Sequence, residues 1–396
     1  ESNIYDSRLQ IEETLNSIKH QAITLNRIEA SHKSNNEIKS IITKKVSFDS
    51  KSYIKLIEPN VKINKQEKPL LNPLSIEYKH NKNEIKKRNI YVQGIQRIQS
   101  TCYINTAIQT ILDISEFSNF LMENKFKYKD TPLLIELKTL YIHCRTHKDS
   151  INRSVSNKNI IECLKNKKNY INPKEQNDST EFLETLISKT QEELNSLLNN
   201  NLCKNIPDIE KLTNTFIIES SICQKCNNER FNDQSHLMIN LKSDGSQNET
   251  TIDEKLKETF SEHNEKVFCT KCKTMTQKLN KYNFGLSNYL FIKISRNKWN
   301  NYIKKLERAY TRIHPNKILN IKQEHNPITT EFGLTGGITH IGNGNTGHYK
   351  YITKINNIWY EINDSQTNSM TENEAIDQLE QNGILITYKI NKDSTN

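Results

Sequence analysis

The 396-residue sequence lacks long apolar runs and has little glycine and proline, and these absences limit the classes of protein to which it can belong. There is no run of 18 apolar residues, and the first residues given contain no apolar stretch of the signal-peptide kind. We therefore expect neither a membrane span nor a secretory signal. Glycine (10) and proline (8) are few, and apolar residues make up only 34% of the chain. Because such a composition weakens propensity arguments, the interpretation depends on motifs and their spacing.

The charge is unbalanced, with 56 Lys and Arg against 46 Asp and Glu and a formal net charge of +10. A nucleic-acid interface usually concentrates its basic residues on one stretch or face. Here the lysines are scattered, and no dense basic block is interleaved with aromatic residues. We interpret the charge as solvated surface and expect no nucleic-acid partner.

Eight cysteines could form disulfides, but four of them form two Cys-x-x-Cys pairs, Cys223 with Cys226 and Cys269 with Cys272. Four thiolates are a closed tetrahedral set that suits structural zinc. The long separation, residues 227–268, fits a zinc ribbon whose knuckles cap two hairpins. The alternatives are four unconnected thiols or a site that has lost its metal. Paired knuckles also favour a reducing, intracellular location, either cytoplasmic or nuclear.

Cys102 lies where an apolar helical pattern begins, with Ile104, Ile108 and Ile111 on one helix face. A thiol in the first turn of a helix feels the positive end of the macrodipole, which favours the thiolate. A single helical cysteine is by itself more often a small buried side chain. The residues that follow much later in the chain change that interpretation.

A histidine and then an amide and a carboxylate follow Cys102 in chain order. His348 stands in Gly-His-Tyr, and Asn363 and Asp364 end the strand-like stretch 359–364. A cysteine, a histidine and an amide or carboxylate in this order are typical of a thiol protease.

The segment Thr101-Cys102-Tyr103-Ile104-Asn105 resembles the Cys box of the ubiquitin-specific proteases, the papain-like deubiquitinating enzymes. Further blocks follow in the family's order and extend the resemblance over residues 89 to about 392. They are 176–183, similar to the family's Gln-Gln-Asp-Ala-x-Glu-Phe-Leu block; the strand 290–296; the His box at 340–342, 347–349 and 359–364; and the final strand 383–388.

The resemblance implies an α+β, papain-like cysteine protease fold with a helical thumb (about 89–205), zinc-ribbon fingers (206–285) and a β-rich palm (286–392). Residues 1–88 would form an N-terminal extension, with an amphipathic helix near 6–30 followed by linker-like sequence. We expect a monomer that binds ubiquitin or ubiquitinated proteins.

The function implied by the resemblance is a thiol hydrolase that cleaves the bond after the C-terminal glycine of ubiquitin. Cys102 would be the nucleophile, His348 the general base, and Asn363 the residue that orients the imidazole, with Asp364 adding charge. The family's ubiquitin-binding positions fall on Asp178, Glu181 and Tyr349, where carboxylates would meet the basic ubiquitin tail. Asp178 has a second interpretation as an ordinary helix N-cap.

The sequence departs from the family just before the nucleophile. The family usually places an oxyanion-binding Asn where this chain has Arg97, and Gly-Asn where it has Gln99 and Ser100. Loss of one oxyanion donor typically lowers turnover by about 10²–10³, although a guanidinium could itself donate. The alternative function is therefore a catalytically weak ubiquitin-binding protein with the same fold.

Overall fold

The computed structural model describes residues 91–391, except 128, 147–154, 166–171, 201, 204, 244–248, 301–303, 324–325 and 344–345. The predicted extension 1–88, with its helix near 6–30, lies outside the described residues, and its boundary stays a prediction. Within the described ranges, no helix is long and apolar enough to cross a membrane.

Helices dominate the first half of the described chain, as the apolar spacing predicts. The helices are α1 Cys102–Leu112, α2 Ser115–Glu123, α3 Pro132–Arg145, α4 Lys158–Lys165, α5 Ser179–Asn199, α6 Ile209–Thr213, α7 Ile252–Thr259 and α8 Glu372–Asn382.

Strands dominate from residue 215 onward. They are β1 Thr215–Cys223, β2 Glu229–His236, β3 Ile239–Lys242, β4 Thr250–Thr251, β5 His263–Cys269, β6 Thr274–Gly285, β7 Tyr289–Ser295, β8 Asn297–Asn300, β9 Lys305–Arg308, β10 Ile313–His314, β11 Ile318–Gln323, β12 Asn326–Asn343, β13 Thr346–Ile355, β14 Ile358–Asn363, β15 Gln366–Met370 and β16 Gly383–Ile390.

Two larger sheets organise these strands. An antiparallel four-stranded sheet has the order β2-β1-β6-β5. Cys223 and Cys269 end β1 and β5, and Cys226 and Cys272 lie in the turns that follow these strands. An eight-stranded sheet has the order β15-β14-β13-β12-β16-β7-β3, with β11 also paired to β12. Its pairings are antiparallel except that β3 runs parallel to β7. The larger sheet therefore holds the predicted His-box strands β13 and β14 side by side.

Helix α1 lies in the interior of the molecule. All eleven of its residues are buried, because its apolar face packs into the helical core while its opposite side meets other protein elements. It packs against α5 and against β13 of the large sheet. A second core fills the space between that sheet and helices α7 and α8. Burial of α1 against β13 brings the Cys box and the His box together, although some 240 residues separate them in the chain.

The predicted α+β class is confirmed, and the sheet formed by β1, β2, β5 and β6 carries the four-cysteine cluster. The face containing Leu133, Leu134, Leu137 and Leu140 is buried, as is the face containing Phe182 and Leu186. The final strand predicted at 383–388 is β16.

Candidate active site and cysteine cluster

Cys102 is the first residue of α1 and has no exposed surface. The residue before it, Thr101, closes a tight turn: its hydroxyl accepts from the Ile98 amide (3.0 Å) and donates to the Ile98 carbonyl (2.8 Å). This turn leads the chain into the helix so that the thiol stands at the positive end of the α1 dipole.

His348 on β13 lies between the Cys102 thiol and Asn363, the last residue of β14. Its Nε2 is 2.6 Å from Asn363 Oδ1. Because an amide oxygen only accepts, this contact places the proton of the neutral ring on Nε2 and leaves Nδ1 to accept. The pKa of His348 is raised above its ordinary value, mainly by a hydrogen bond with the Cys102 side chain and, against the effect of burial, by Asn363 and the Asp364 charge.

Asp364 is held in place from the nucleophile helix. Asn105, one turn after Cys102, donates from Nδ2 to Asp364 Oδ1 (2.8 Å) and to the Ile95 carbonyl (3.0 Å). The other carboxylate oxygen, Oδ2, lies 3.9 Å from His348 Nε2. Burial raises the pKa of Asp364, while Asn105 and the nearby positive groups lower it. A carboxylate near the imidazole favours its protonated form.

Asn105 is a functional residue that the sequence reasoning did not single out. It is 3% exposed, and its Oδ1 accepts from Asn157 Nδ2 (2.8 Å). The sequence signal for Asn105 is a polar amide within an apolar helical pattern, because a buried polar group needs hydrogen-bond partners. The identity of those partners is a tertiary property that helical spacing does not reveal.

Gln176 is a second such residue, and it holds the backbone immediately before His348. Its Nε2 donates to the Gly347 carbonyl (2.7 Å), and its Oε1 accepts from the Gly347 amide (2.9 Å). A Cβ at position 347 would lie 2.3 Å from His340 Nε2 and 2.6 Å from the Ile341 carbonyl oxygen, so any larger residue would displace its neighbours. The paired hydrogen bonds therefore fix the peptide that carries the imidazole.

Arg97 lies against the imidazole. Its NH1 is 3.4 Å from His348 Nδ1 and 3.8 Å from Asp364 Oδ2, and its side chain is 46% exposed. Gln99, at the family's usual glycine position, has φ +53°, a left-handed conformation that glycine adopts more easily. The backbone of this chain is therefore left-handed at Gln99 although the residue carries a side chain.

The predicted ubiquitin-binding residues lie on two neighbouring elements. Asp178 caps α5, because its Oδ1 accepts from the amides of Thr180 (2.7 Å) and Glu181 (3.4 Å). Although burial acts to raise it, the pKa of Asp178 is lowered by the Thr180 hydrogen bonds and by Lys293, whose Nζ is 3.4 Å from Oδ2. The capping interpretation of Asp178 is therefore confirmed, and Glu181 occupies the first turn of the same helix.

Tyr349 follows His348 on β13, and its ring packs on His340 with a centroid separation of 4.4 Å. Burial raises the Tyr349 pKa, so the phenol is neutral. Burial and the Arg308 charge lower the pKa of His340 to about 4. At neutral pH this second histidine is therefore uncharged and does not compete electrostatically with His348.

The four paired cysteines form one cluster, with all their sulfur atoms within 4.8 Å of one another. Cys223 Sγ is 3.9 Å from Cys272 Sγ, and Cys226 Sγ is 3.8 Å from Cys269 Sγ. A tetrahedron with metal–sulfur bonds of about 2.3 Å has edges of about 3.8 Å. The two measured edges therefore fit a metal held by four thiolates.

The two knuckles share one backbone shape. In each, the residue after the second cysteine is left-handed (Asn227, φ +52°; Lys273, φ +59°). Each also donates its amide to the carbonyl of the first cysteine, over 2.9 Å to Cys223 and 2.8 Å to Cys269. Repetition of this turn at the ends of two hairpins is what brings four thiols from distant sequence positions to one point.

Comparisons with known proteins identify relatives of this chain. A curated relative, ubiquitin carboxyl-terminal hydrolase 37 of Sus scrofa, is 26% identical over 114 residues, which are 27% of this chain and 11% of that protein. The aligned region is thus a small part of the relative's length.

Solved structures share the fold. The SAGA Ubp8/Sgf11/Sus1/Sgf73 DUB module bound to ubiquitin aldehyde has a TM-score of 0.65 at 19% identity, covering 78% of this chain and 71% of that one. The same module with a cysteine-to-alanine variant of Ubp8, bound to monoubiquitin, has a TM-score of 0.66 at 19% identity, covering 78% and 73%. Residues 93–388 match the model of the ubiquitin carboxyl-terminal hydrolase family. Because that match covers most of the sequence, the chain belongs to this family of cysteine-type ubiquitin hydrolases, and within it to the ubiquitin-specific proteases.

Proposed function

We propose that the chain is a deubiquitinating hydrolase that cleaves the isopeptide or peptide bond after the C-terminal glycine of ubiquitin, with Cys102, His348 and Asn363 as its triad. The observation that carries the proposal is the position of the His348 ring, which meets the Cys102 side chain and the Asn363 amide. The bound ubiquitin of the similar structures supports the same substrate.

In the proposed reaction, the Cys102 proton moves from Sγ to His348 Nδ1, and the thiolate attacks the carbonyl carbon of the terminal glycine. The imidazolium then returns the proton to the departing amine, and water hydrolyses the thioester. Asn363 keeps the ring oriented by accepting from Nε2, while the Asp364 charge stabilises the imidazolium that Asn363 stabilises only weakly.

The oxyanion would be held by the Cys102 amide N–H and a second donor. Arg97 occupies the position of the family's usual Asn, and we propose its guanidinium as that donor. Asp178, Glu181 and Tyr349 would bind the basic tail of ubiquitin. Asp178 can cap α5 and bind the ubiquitin tail at once, because the cap uses only its Oδ1. Its Oδ2 pairs with Lys293, and an arginine of the incoming tail would replace that lysine.

A ubiquitin probe with a C-terminal electrophile tests the triad. We expect covalent labelling at Cys102, loss of labelling in Cys102→Ala, and undiminished labelling in the matched Cys203→Ser control. Retained turnover of a fluorogenic ubiquitin substrate by Cys102→Ala would contradict the assignment of the nucleophile.

The second candidate is a catalytically weak ubiquitin-binding protein. The observation that favours it is the guanidinium of Arg97 on Nδ1, the atom that must receive the thiol proton. Ubiquitin binding by the wild-type chain, without any reaction between Cys102 and the probe, would support this candidate over the hydrolase.

We propose that the cysteine cluster holds one structural zinc ion, ligated by Cys223, Cys226, Cys269 and Cys272 in a reducing, intracellular location. The near-tetrahedral sulfur spacing supports this proposal. Elemental analysis should find one zinc per chain, and Cys226→Ser should lose it together with ubiquitin affinity. Metal-free protein with these cysteines in disulfides would contradict the site.

A further inference from the structure

Arg97 lies on the ring nitrogen of His348 that the Cys102 thiol needs in the proposed reaction. Asn363 takes Nε2 at 2.6 Å, so Nδ1 is the ring nitrogen left for the Cys102 thiol. Arg97 NH1 also lies on Nδ1, at 3.4 Å. A guanidinium has five donors and no acceptor and stays charged at every relevant pH. It can therefore face Nδ1 only while that nitrogen is unprotonated.

We propose that Arg97 is a positioning residue that caps His348 Nδ1 and holds the thiol–imidazole pair in its neutral form until the guanidinium moves away. This inference rests on the proposed function, since it concerns the same pair of residues. It differs from the oxyanion role because it describes the enzyme before substrate binds.

Repulsion between like charges is the physical basis of the cap, and it opposes the groups that raise the pKa of His348. When the Cys102 proton moves to Nδ1, two donors and two positive charges would face each other across 3.4 Å. Like charges at such a distance disfavour the protonated ring. Among the described residues, the Cys102 sulfur and the Asp364 carboxylate also act on His348, and both favour the imidazolium. His340 is the remaining neighbour, and burial and Arg308 keep it neutral.

The guanidinium has a second position within reach. The Asp364 Oδ2 atom is 3.8 Å from the same NH1, and Asn105 anchors that carboxylate through its other oxygen. Because the Arg97 side chain is 46% exposed, a small rotation can transfer it from Nδ1 to Asp364 or to the oxyanion of a bound substrate. The Cys102 thiol has no exposed surface, so a reagent reaches it only when a neighbour moves.

Alkylation by iodoacetamide tests the proposal, because this reaction needs the thiolate but no oxyanion donor. The rate at Cys102 is measured by peptide mass spectrometry from pH 4.5 to 9. Arg97→Met removes the charge and the donors at similar length. We expect it to alkylate about threefold to tenfold faster on the plateau of the profile near pH 7, where the neutral pair and the thiolate–imidazolium pair hold the same number of protons and compete directly. Arg97→Lys keeps the charge but loses the guanidinium, so its alkylation rate should lie between those of wild type and Arg97→Met.

A matched control removes a distant positive charge: Lys211→Gln on α6, where the lysine side chain is 82% exposed, should leave the profile unchanged. Unfolding midpoints of all variants should agree with wild type, which separates this role from a structural one. An unchanged or slower plateau rate in Arg97→Met would overturn the inference.

The result for Arg97 is distinguishable from the result for the proposed function. If the wild-type chain reacts with the ubiquitin probe but Arg97→Met leaves alkylation unchanged, the cap is wrong and the hydrolase stands. If the plateau rate rises as expected but no ubiquitin probe reacts, the cap stands and the hydrolase is wrong.

Discussion

The junction between α1 and β13 rests on one carboxylate, Asp113, which follows the last residue of α1. Its Oδ1 accepts from Arg145 NH2 of α3 (2.8 Å), and its Oδ2 accepts from the hydroxyls of Tyr351 (2.9 Å) and Thr353 (2.6 Å) on β13. Arg145 is only 4% exposed. Asp113 thus joins the helix that carries Cys102 to the strand that carries the imidazole.

Replacing Asp113 by Leu leaves the Arg145 charge buried without a carboxylate. Removing one partner of a buried ion pair typically costs about 3–5 kcal/mol. The Asp113 side chain is 22% exposed, and Gln109 Oε1 still accepts from Arg145 at 2.8 Å. Both facts reduce the loss, so we expect about 3 kcal/mol of unfolding free energy. The double variant Asp113→Leu, Arg145→Met removes both charges and should recover most of that loss.

Urea unfolding followed by circular dichroism measures these differences, with an exposed pair as control. Glu162 and Lys165 form a surface ion pair on α4, with side chains 54% and 47% exposed, and Glu162→Gln should cost less than about 1 kcal/mol. If Asp113→Leu costs no more than Glu162→Gln, the carboxylate does not hold the junction. If the double variant loses as much as the single one, the cost does not arise from the unpaired Arg145 charge.

Three further predictions concern the backbone around the site. Gln176→Ala should lower kcat/KM for a fluorogenic ubiquitin substrate by about tenfold or more while leaving the urea midpoint near wild type, because it removes both hydrogen bonds to Gly347, the residue before His348. An unchanged kcat/KM would show that these hydrogen bonds do not position the imidazole. Gly94→Ala should strongly reduce probe labelling, because its Cβ would lie 1.8 Å from the Asp364 carbonyl oxygen. The control Gly333→Ala should have a mild effect, because its Cβ would meet only the Asn391 side chain, at 3.0 Å. Equal effects of the two variants would refute the role of the Gly94 contact. Gln99→Gly should be neutral or stabilising by up to about 1 kcal/mol in urea unfolding, because Gln99 already adopts a left-handed φ; a clear loss of stability would show that its side chain is needed.

The sequence predicts the α+β class, the family and the helix beginning at Cys102, because these depend on local motifs and on apolar spacing. The cysteine knuckles are equally visible, since each is a local motif with its own ligands. These predictions are confirmed by the structure and by the family match. The roles of Cys102, His348 and Asn363 stay predictions, although the structure brings their side chains together.

The supporting contacts could not be predicted in the same way. Gln176 meets the residue before His348 across 171 positions, and Asn105 meets Asp364 across 259. Such pairings depend on how α1 docks against the large sheet. A polar residue in an otherwise apolar pattern predicts that some partner exists, but the chain does not encode locally which partner it is.

The two departures from the family's Cys box, at Gln99 and at Arg97, have different energetic consequences. At Gln99 the backbone keeps its left-handed bend without glycine, which costs on the order of 1 kcal/mol and leaves the path to Cys102 intact. The exchange to Arg97 is of another kind, because it adds a permanent charge within hydrogen-bonding distance of the imidazole. A neutral amide at that position could donate to an oxyanion without opposing the imidazolium, whereas a guanidinium opposes the imidazolium whenever it rests on the ring. The nearby Asp364 carboxylate offers the compensation, since a guanidinium paired with Asp364 no longer caps Nδ1. With Cys102, His348 and Asn363 in place, the activity of this site should therefore depend on where Arg97 rests.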